Sequence, residues 1–270
     1  MKTRAITGIF FVAVMLGSFY AGSIVFSVFY GLLALLCLQE YYGVLNKAGL
    51  QPNAFAGILN GLFIYGAFAA SFYLDTALIH KIIFLLVLPL LSVFVLELYQ
   101  KAANPFANIG YTFLGLIFAI LPFTFFHALA FVTNGPFNFH IPLAFLLMLW
   151  ANDTGAYLVG RQFGRTKLFE RHSPKKTWEG FIGGILIAAA VGYIISIYFH
   201  ELPWRNWVSV GVIIGMVGTL GDLVESMFKR SLNIKDSGGL LPGHGGLLDR
   251  FDGLLLAAPV VFVYLYLIFN

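Results

Sequence analysis

The densest chemistry in this chain lies between Ser226 and Asp252, which reads SMFKRSLNIKDSGGLLPGHGGLLDRFD. Lys229, Arg230, Lys235, His244 and Arg250 stand there among Asp236, Asp249 and Asp252, with five glycines and one proline between them. Apolar stretches flank the segment on both sides, and charge packed this densely at a membrane edge is costly unless it is used. Just upstream, Asp222 and Glu225 are three residues apart on one helical face, which Ser226 and Lys229 continue. Asp249 and Asp252 repeat the spacing at the start of the last apolar stretch. The two stretches are consecutive and antiparallel, so both pairs fall at the same depth. Carboxylate oxygens gathered with a single nearby histidine and no cysteine suit a hard cation such as Mg²⁺. Asp222 and Asp249 are the expected ligands; the alternative for either is a structural salt bridge to Arg250 or Lys229.

A second basic segment, 161–176, sets Arg161, Arg165, Lys167, Arg171, Lys175 and Lys176 against Glu170 alone. Such a loop can touch anionic headgroups. Its end, Ser173-Pro174-Lys175-Lys176-Thr177, precedes an expected helix start, where lysines, hydroxyls and free backbone N–H groups make a phosphate site. Gly245 and Gly246 allow backbone N–H groups to approach a phosphate, and His244 can donate to one. The chain contains no GxxxxGK[ST], GxSxG or HExxH pattern and no zinc-type Cys/His spacing, which excludes a P-loop nucleotidase and the common hydrolase motifs. Acids for a cation beside bases for phosphates describe transfer between a soluble polyphosphate and a lipid headgroup.

The elements that must carry these residues are membrane helices. Of 270 residues, 60% are hydrophobic and 10% charged, and the mean hydropathy is +0.87. Nine stretches are apolar over roughly the 20 residues a span needs: 5–21, 23–45, 54–74, 79–100, 107–130, 140–160, 177–199, 207–228 and 250–269. The expected fold is an all-α polytopic integral membrane protein of about nine transmembrane helices, forming a single domain. Residues 1–140 are the scaffold, and 150–253 the catalytic half with cytosolic loops 161–176 and 229–249. With the N-terminus cytoplasmic and the C-terminus outside, fourteen of the sixteen Lys and Arg residues fall on the cytosolic side and only Lys81 and Arg205 on the other. The net charge of +4 thus reflects topology and does not call for nucleic acid. Lys2 and Arg4 ahead of an apolar run could also open a signal peptide, although an anchoring first span serves equally well. Cys37, the only cysteine, permits no disulfide within the chain.

Eight of the twelve acids, Glu40, Glu97, Asp153, Glu179, Asp222, Glu225, Asp249 and Asp252, lie in spans or at their ends, all in the expected cytosolic half. Glu40 and Glu97 read as lone structural or snorkelling acids. Glu179 reads equally as a helix-dipole partner or a site residue. Gly211, Gly215, Gly218 and Gly221 form a small-residue stripe that lets another backbone come close and position Asp222.

Ser226–Asp252 resembles the signature of the CDP-diacylglycerol synthases, or phosphatidate cytidylyltransferases. The pattern is Ser, two residues, Lys-Arg, four residues, Lys-Asp, a small residue, then His-Gly-Gly-x-x-Asp-Arg-x-Asp. It is matched at Ser226, Lys229, Arg230, Lys235, Asp236, Gly238, His244, Gly245, Gly246, Asp249, Arg250 and Asp252. A second segment, Asn152 to Tyr157 through Gly160-Arg161 to Ser173–Gly180, also resembles the bacterial members. The resemblance implies that CTP and phosphatidic acid give CDP-diacylglycerol and pyrophosphate at the cytosolic face of the inner cell membrane. It also implies Mg²⁺ dependence with a second, monovalent cation such as K⁺, and a homodimer. On that reading Asp222, Asp249 and Asp252 hold the metal. Lys175, Lys176, Lys229, Arg230, Lys235, His244 and Arg250 hold phosphates, and Asp153 is an outer member of the site. Ser173, Ser226, Asp236, Gly245 and Gly246 complete the substrate-binding set. Two alternatives use the same residue types: a CTP-dependent kinase of a polyprenol such as dolichol, and a transporter of a phosphorylated solute. The second usually has repeated halves, and no repeat is visible here.

Overall fold

A computed structural model describes residues 2–133, 135–234, 236–238 and 245–269, with only the backbone described for 2–7 and 9. Seven described helices are long and apolar enough to cross a membrane: Ser23–Lys47, Thr76–Leu98, Pro105–Phe131, His140–Phe163, Trp178–Tyr198, Trp204–Ser231 and Leu248–Phe269. Two shorter apolar helices, Phe10–Tyr20 and Ala54–Ala70, occupy the first and third expected stretches. The chain is built as an all-α membrane protein, and its one described sheet is a small hairpin.

The helices are α1 (Lys2–Tyr20), α2 (Ser23–Lys47), α3 (Ala54–Ala70), α4 (Thr76–Leu85), α5 (Val87–Leu98), α6 (Pro105–Gly115), α7 (Leu121–Ala128), α8 (His140–Phe163), α9 (Trp178–Tyr198), α10 (Trp204–Ser231) and α11 (Leu248–Phe269). Strands β1 (Lys167–Phe169) and β2 (Ser173–Thr177) pair antiparallel between α8 and α9. Chain contacts divide the molecule into two compact units, Met1–Ala128 with Asp236–Leu248, and Leu129–Lys235 with Asp249–Asn270.

The first unit is centred on aromatic side chains. The tilted rings of Phe26 and Tyr30 of α2 meet at 4.7 Å, and Tyr30 meets Phe126 of α7 at 4.8 Å. A cluster of buried polar groups there is paired, as a low-dielectric interior favours. Ser27 Oγ lies 2.7 Å from His127 Nε2 and 2.9 Å from the Tyr73 hydroxyl, and Tyr65 donates to the Ser27 carbonyl at 2.9 Å. Between α6 and α7 the helix widens into a π turn, Leu116–Ile120. Pro122 follows closely and has no N–H to return to the preceding turn. The Tyr42 hydroxyl bonds the Thr112 carbonyl at 2.7 Å just ahead of it.

The second unit is a helical bundle held by backbone contact at small residues. A Cβ on Gly211 would stand 2.6 Å from the Ala188 carbonyl of α9, and one on Gly215 2.8 Å from the Ile185 Cα. Nearly two turns on, a Cβ on Gly221 would overlap the Asp252 carbonyl of α11. The glycine stripe therefore does what its spacing predicts, and it sets Asp222 beside the first turn of α11. At the opposite end of α8, Glu201 closes a clasp: it binds His140 Nδ1 and accepts from Asn138 Nδ2 at 2.9 Å, while Asn138 Oδ1 accepts from the His140 backbone at 2.8 Å. Burial would raise the Glu201 carboxyl, but the Asn138 and His140 hydrogen bonds outweigh it and hold the group below its ordinary value.

Two outcomes are expected. Gly221→Ala destabilises the protein by about 1–3 kcal/mol through overpacking against a backbone oxygen that cannot yield, as read by thermal unfolding in detergent. Because the Glu201 pKa is depressed on folding, its contribution is present above the unfolded glutamate value of about 4.3 and is lost as pH falls through the lower folded value. The midpoint of wild type should therefore drop over that range, and Glu201→Gln should lower the neutral-pH midpoint and flatten the acid limb.

Candidate active site

In the second unit α8, α9, α10, α11 and the hairpin enclose a cavity of about 540 Å³. Four carboxylates line it: Asp153 of α8, Asp222 of α10, and Asp249 and Asp252 of α11. Four cations face it as well, Arg161, Lys175, Lys176 and Arg250. The rest of the wall is largely apolar, with Trp150, Ala156, Tyr157, Leu168 and Phe181. Charged and apolar side chains in one lining accommodate a molecule that is polyanionic at one end and hydrocarbon at the other.

Each charge has an identifiable anchor. Lys176 lies 2.5 Å from Asp222 Oδ2, and Ser226 Oγ is 3.3 Å from Asp222 Oδ1. Lys229 bridges two acids, 2.5 Å from Asp249 Oδ1 and 2.5 Å from Glu225 Oε2. Glu225 is fully buried. Asp252 Oδ1 accepts from the Gly253 backbone at 2.6 Å, and Asp153 accepts from Asn152 at 3.3 Å. Asp252 lies within electrostatic reach of Asp222, Asp153 and Glu225. Asp153 and Asp252 form no ion pair among the described residues.

Lys175 and Lys176 reach the cavity from β2, which was expected to be a loop. Lys167 pairs with Thr177 and Phe169 with Ser173 across an irregular register. The Thr177 side chain caps α9 by accepting from the Gly180 N–H at 3.2 Å. Glu179, in the first turn of α9, reaches back to accept the backbone N–H groups of Arg165 and Thr166, each at 3.1 Å. That bond ties the hairpin's base to the helix and so fixes where its lysines arise. The Ser173–Thr177 segment is thus a strand ending in a capped helix, and its lysine side chains, more than free N–H groups, face the cavity.

The other expected site residues are placed as follows. Arg230 is exposed, and its guanidinium donates to the Ile234 carbonyl at 3.0 Å, closing the end of α10. Ser173 is half-buried on β2. Asp236, Gly245 and Gly246 belong to the first unit. Lys235 and His244 lie outside the described residues.

The donor set fits a hard cation, since four carboxylates line one cavity and two of them, Asp153 and Asp252, form no ion pair among the described residues. As they stand, no three acid or imidazole side chains among the described residues are close enough to cage an ion; Lys176 and Lys229 hold two of the carboxylates.

A model of the Cytidylyltransferase family matches residues 2–268. The chain belongs to the cytidylyltransferase family. It is 34% identical over 269 residues to the phosphatidate cytidylyltransferase of Staphylococcus aureus strain COL, covering 98% of this chain and 99% of that one. The phosphatidate cytidylyltransferase of Staphylococcus haemolyticus strain JCSC1435 is 34% identical over 275 residues, with the same coverage.

In this cytidylyltransferase, Asp249 makes the salt bridge to Lys229 that the sequence offered as the alternative to metal ligation, and Asp222 pairs instead with Lys176. The i, i+4 relation of Glu225 and Lys229 was the available signal for the third member, Glu225. Lys229→Met should leave Glu225 buried and unpaired, at a cost of about 3–5 kcal/mol. The double variant Lys229→Met with Glu225→Gln should recover most of that stability in thermal unfolding, because the stranded charge is gone.

Proposed function

We propose that this chain transfers the cytidylyl group of CTP to phosphatidic acid, giving CDP-diacylglycerol and pyrophosphate. The observation that carries the reading is the cavity of the second unit, in which carboxylates and basic groups meet an apolar wall, in a chain whose relatives bear that activity in their names. Both substrates are polyanions, and their repulsion must be screened before they react. Lys175, Lys176, Arg161 and Arg250 are positioned to hold phosphate oxygens, and the apolar wall takes the glycerol and acyl end of the lipid. Phosphatidate carries an anionic oxygen near neutral pH, so the attacking group needs no strong general base. That oxygen attacks the α-phosphorus of CTP in line; the bond from that phosphorus to the bridging oxygen breaks, and its electron pair leaves with pyrophosphate.

Asp222, Asp249 and Asp252, with Asp153 beside them, are the groups that would hold Mg²⁺ and a second, monovalent cation. Bound there, Mg²⁺ would neutralise phosphate charge and polarise the reacting phosphorus. Lys229, with two acidic partners, would keep Asp249 in place or release it to the ion. On this reading the seven long helices and the two short apolar ones make nine spans, with the N-terminus in the cytosol and the C-terminus outside. The cavity then opens to the cytosolic side of the inner cell membrane. The fourteen-to-two distribution of basic residues supports that orientation. A homodimer follows from the same resemblance.

The test uses purified protein in detergent, with phosphatidic acid, Mg²⁺ and CTP labelled separately at the α and γ phosphates. The expected result is α label in the lipid and γ label in pyrophosphate. Label from the γ position in a lipid alcohol would instead make the chain a kinase, and no label in any lipid acceptor would sink both.

A further inference from the structure

Glu40 is a carboxylate in the membrane scaffold that the cavity does not use, yet it touches the glycine-rich signature at both ends. It stands near the C-terminal end of α2, half-buried, in the first unit together with Asp236–Leu248. Its Oε1 accepts from the Ser237 hydroxyl, 197 residues away in sequence, and from the Leu248 N–H at 3.2 Å. Its Oε2 accepts from the Leu247 N–H at 2.8 Å. Leu247 and Leu248 open α11, where the first N–H groups have no partner within the helix. Glu40 therefore caps α11 from another helix, and an anion suits that end of the helix dipole.

The same carboxylate accounts for two small residues of the signature. A Cβ on Gly238 would come 2.8 Å from Glu40 Cδ, with only Glu40 atoms among its nearest neighbours, and a Cβ on Gly246 would overlap Glu40 Oε1. Neither glycine has a positive φ, so the space they vacate, and not a special backbone conformation, is what Glu40 uses. One side chain thus holds Ser237 and Leu247–Leu248 together.

We propose that Glu40 is a positioning residue of the reaction: it ties the two ends of the glycine-rich loop together and sets the first turn of α11, which carries Asp249, Arg250 and Asp252. The inference rests on the proposed cytidylyl transfer for what the positioned groups do, but the clasp itself does not depend on it. Replacing the carboxylate by an amide keeps one oxygen acceptor and turns an N–H₂ group towards the Leu247 N–H, so Glu40→Gln should be milder than Glu40→Ala.

The experiment uses the full chain in detergent, comparing Glu40→Gln, Glu40→Ala, Gly238→Ala and the double variant Glu40→Ala with Gly238→Ala. Hydrogen exchange followed by mass spectrometry should show faster exchange at 247–248 in both Glu40 variants. Their kcat for CTP should fall, by about a hundredfold for Glu40→Ala, the scale expected when reacting groups are misplaced by about 1 Å. The KM for phosphatidic acid should stay within about twofold, because the apolar wall for the lipid lies on α8, α9 and the hairpin. Gly238→Ala should be harmful alone and add nothing in the Glu40→Ala background, since the atom it collides with is gone. Wild-type kcat in Glu40→Ala, or losses from Glu40→Ala and Gly238→Ala that simply multiply, would overturn the proposal. Absence of cytidylyl transfer in wild type, with exchange at 247–248 still dependent on Glu40, would remove the catalytic role and the functional reading while leaving the clasp.

Discussion

A carboxylate inside a hydrocarbon-facing helix costs about 2.5–3.5 kcal/mol on insertion scales, and the arrangement of polar groups here follows from meeting that cost. Glu97 accepts from Asn108 at 2.8 Å, Glu40 takes three donors, Asp222 has Lys176, and Glu225 and Asp249 share Lys229. Each partner must be brought to the acid by some element, so the acids in effect dictate where hairpin, helix end and loop must go. The two cavity carboxylates with no ion pair among the described residues, Asp153 and Asp252, lie within electrostatic reach of one another. Two carboxylates without an ion-pair partner among the described residues are thus gathered in one cavity, where a cationic ligand would be drawn to them.

Close backbone approach is the second half of the same solution. Side chains short enough to let helices touch leave polar groups on neighbouring helices within reach of one another. A Cβ on Gly184 would lie 2.6 Å from Asn152 Oδ1, and one on Gly180 2.7 Å from the Ala156 carbonyl. Elsewhere large apolar side chains are exposed, such as Leu98, Phe106 and Tyr198. Small residues at helix–helix contacts are expected where lipid tails are as apolar as the protein and packing, not dehydration, holds helices together.

The membrane helices were legible because a span is written into composition over about 20 consecutive residues. The glycine stripe of α10 and the three-residue spacing of Asp222–Glu225 and Asp249–Asp252 were legible because helical period alone fixes which residues share a face. The β1–β2 hairpin was not. Its strands are three and five residues long, Pro174 argues against a strand, and alternation over so few positions carries little signal. Asp153 was placed only at the margin of the site, since nothing local says which acid of another helix will face it. Glu40 was read as a lone structural acid for the same reason: its partners lie about two hundred residues onward, and periodicity describes only neighbours along one element.

The π turn at Leu116–Ile120 lets one continuous rod serve two differently aimed surfaces. An α-helix advances about 100° per residue, and the widened turn accommodates one residue more than a regular helix would over the same height. Ahead of it, Asn108 and Thr112 address Glu97 and the Asn53 backbone. Beyond it, Phe126 and His127 address Tyr30 and Ser27. The turn acts as a phase shifter between a polar bracket and an aromatic stack. Shortening it by one residue would leave the bracket in step and swing the aromatic half to another quarter of the helix. Length at that point is therefore as binding a specification as residue type.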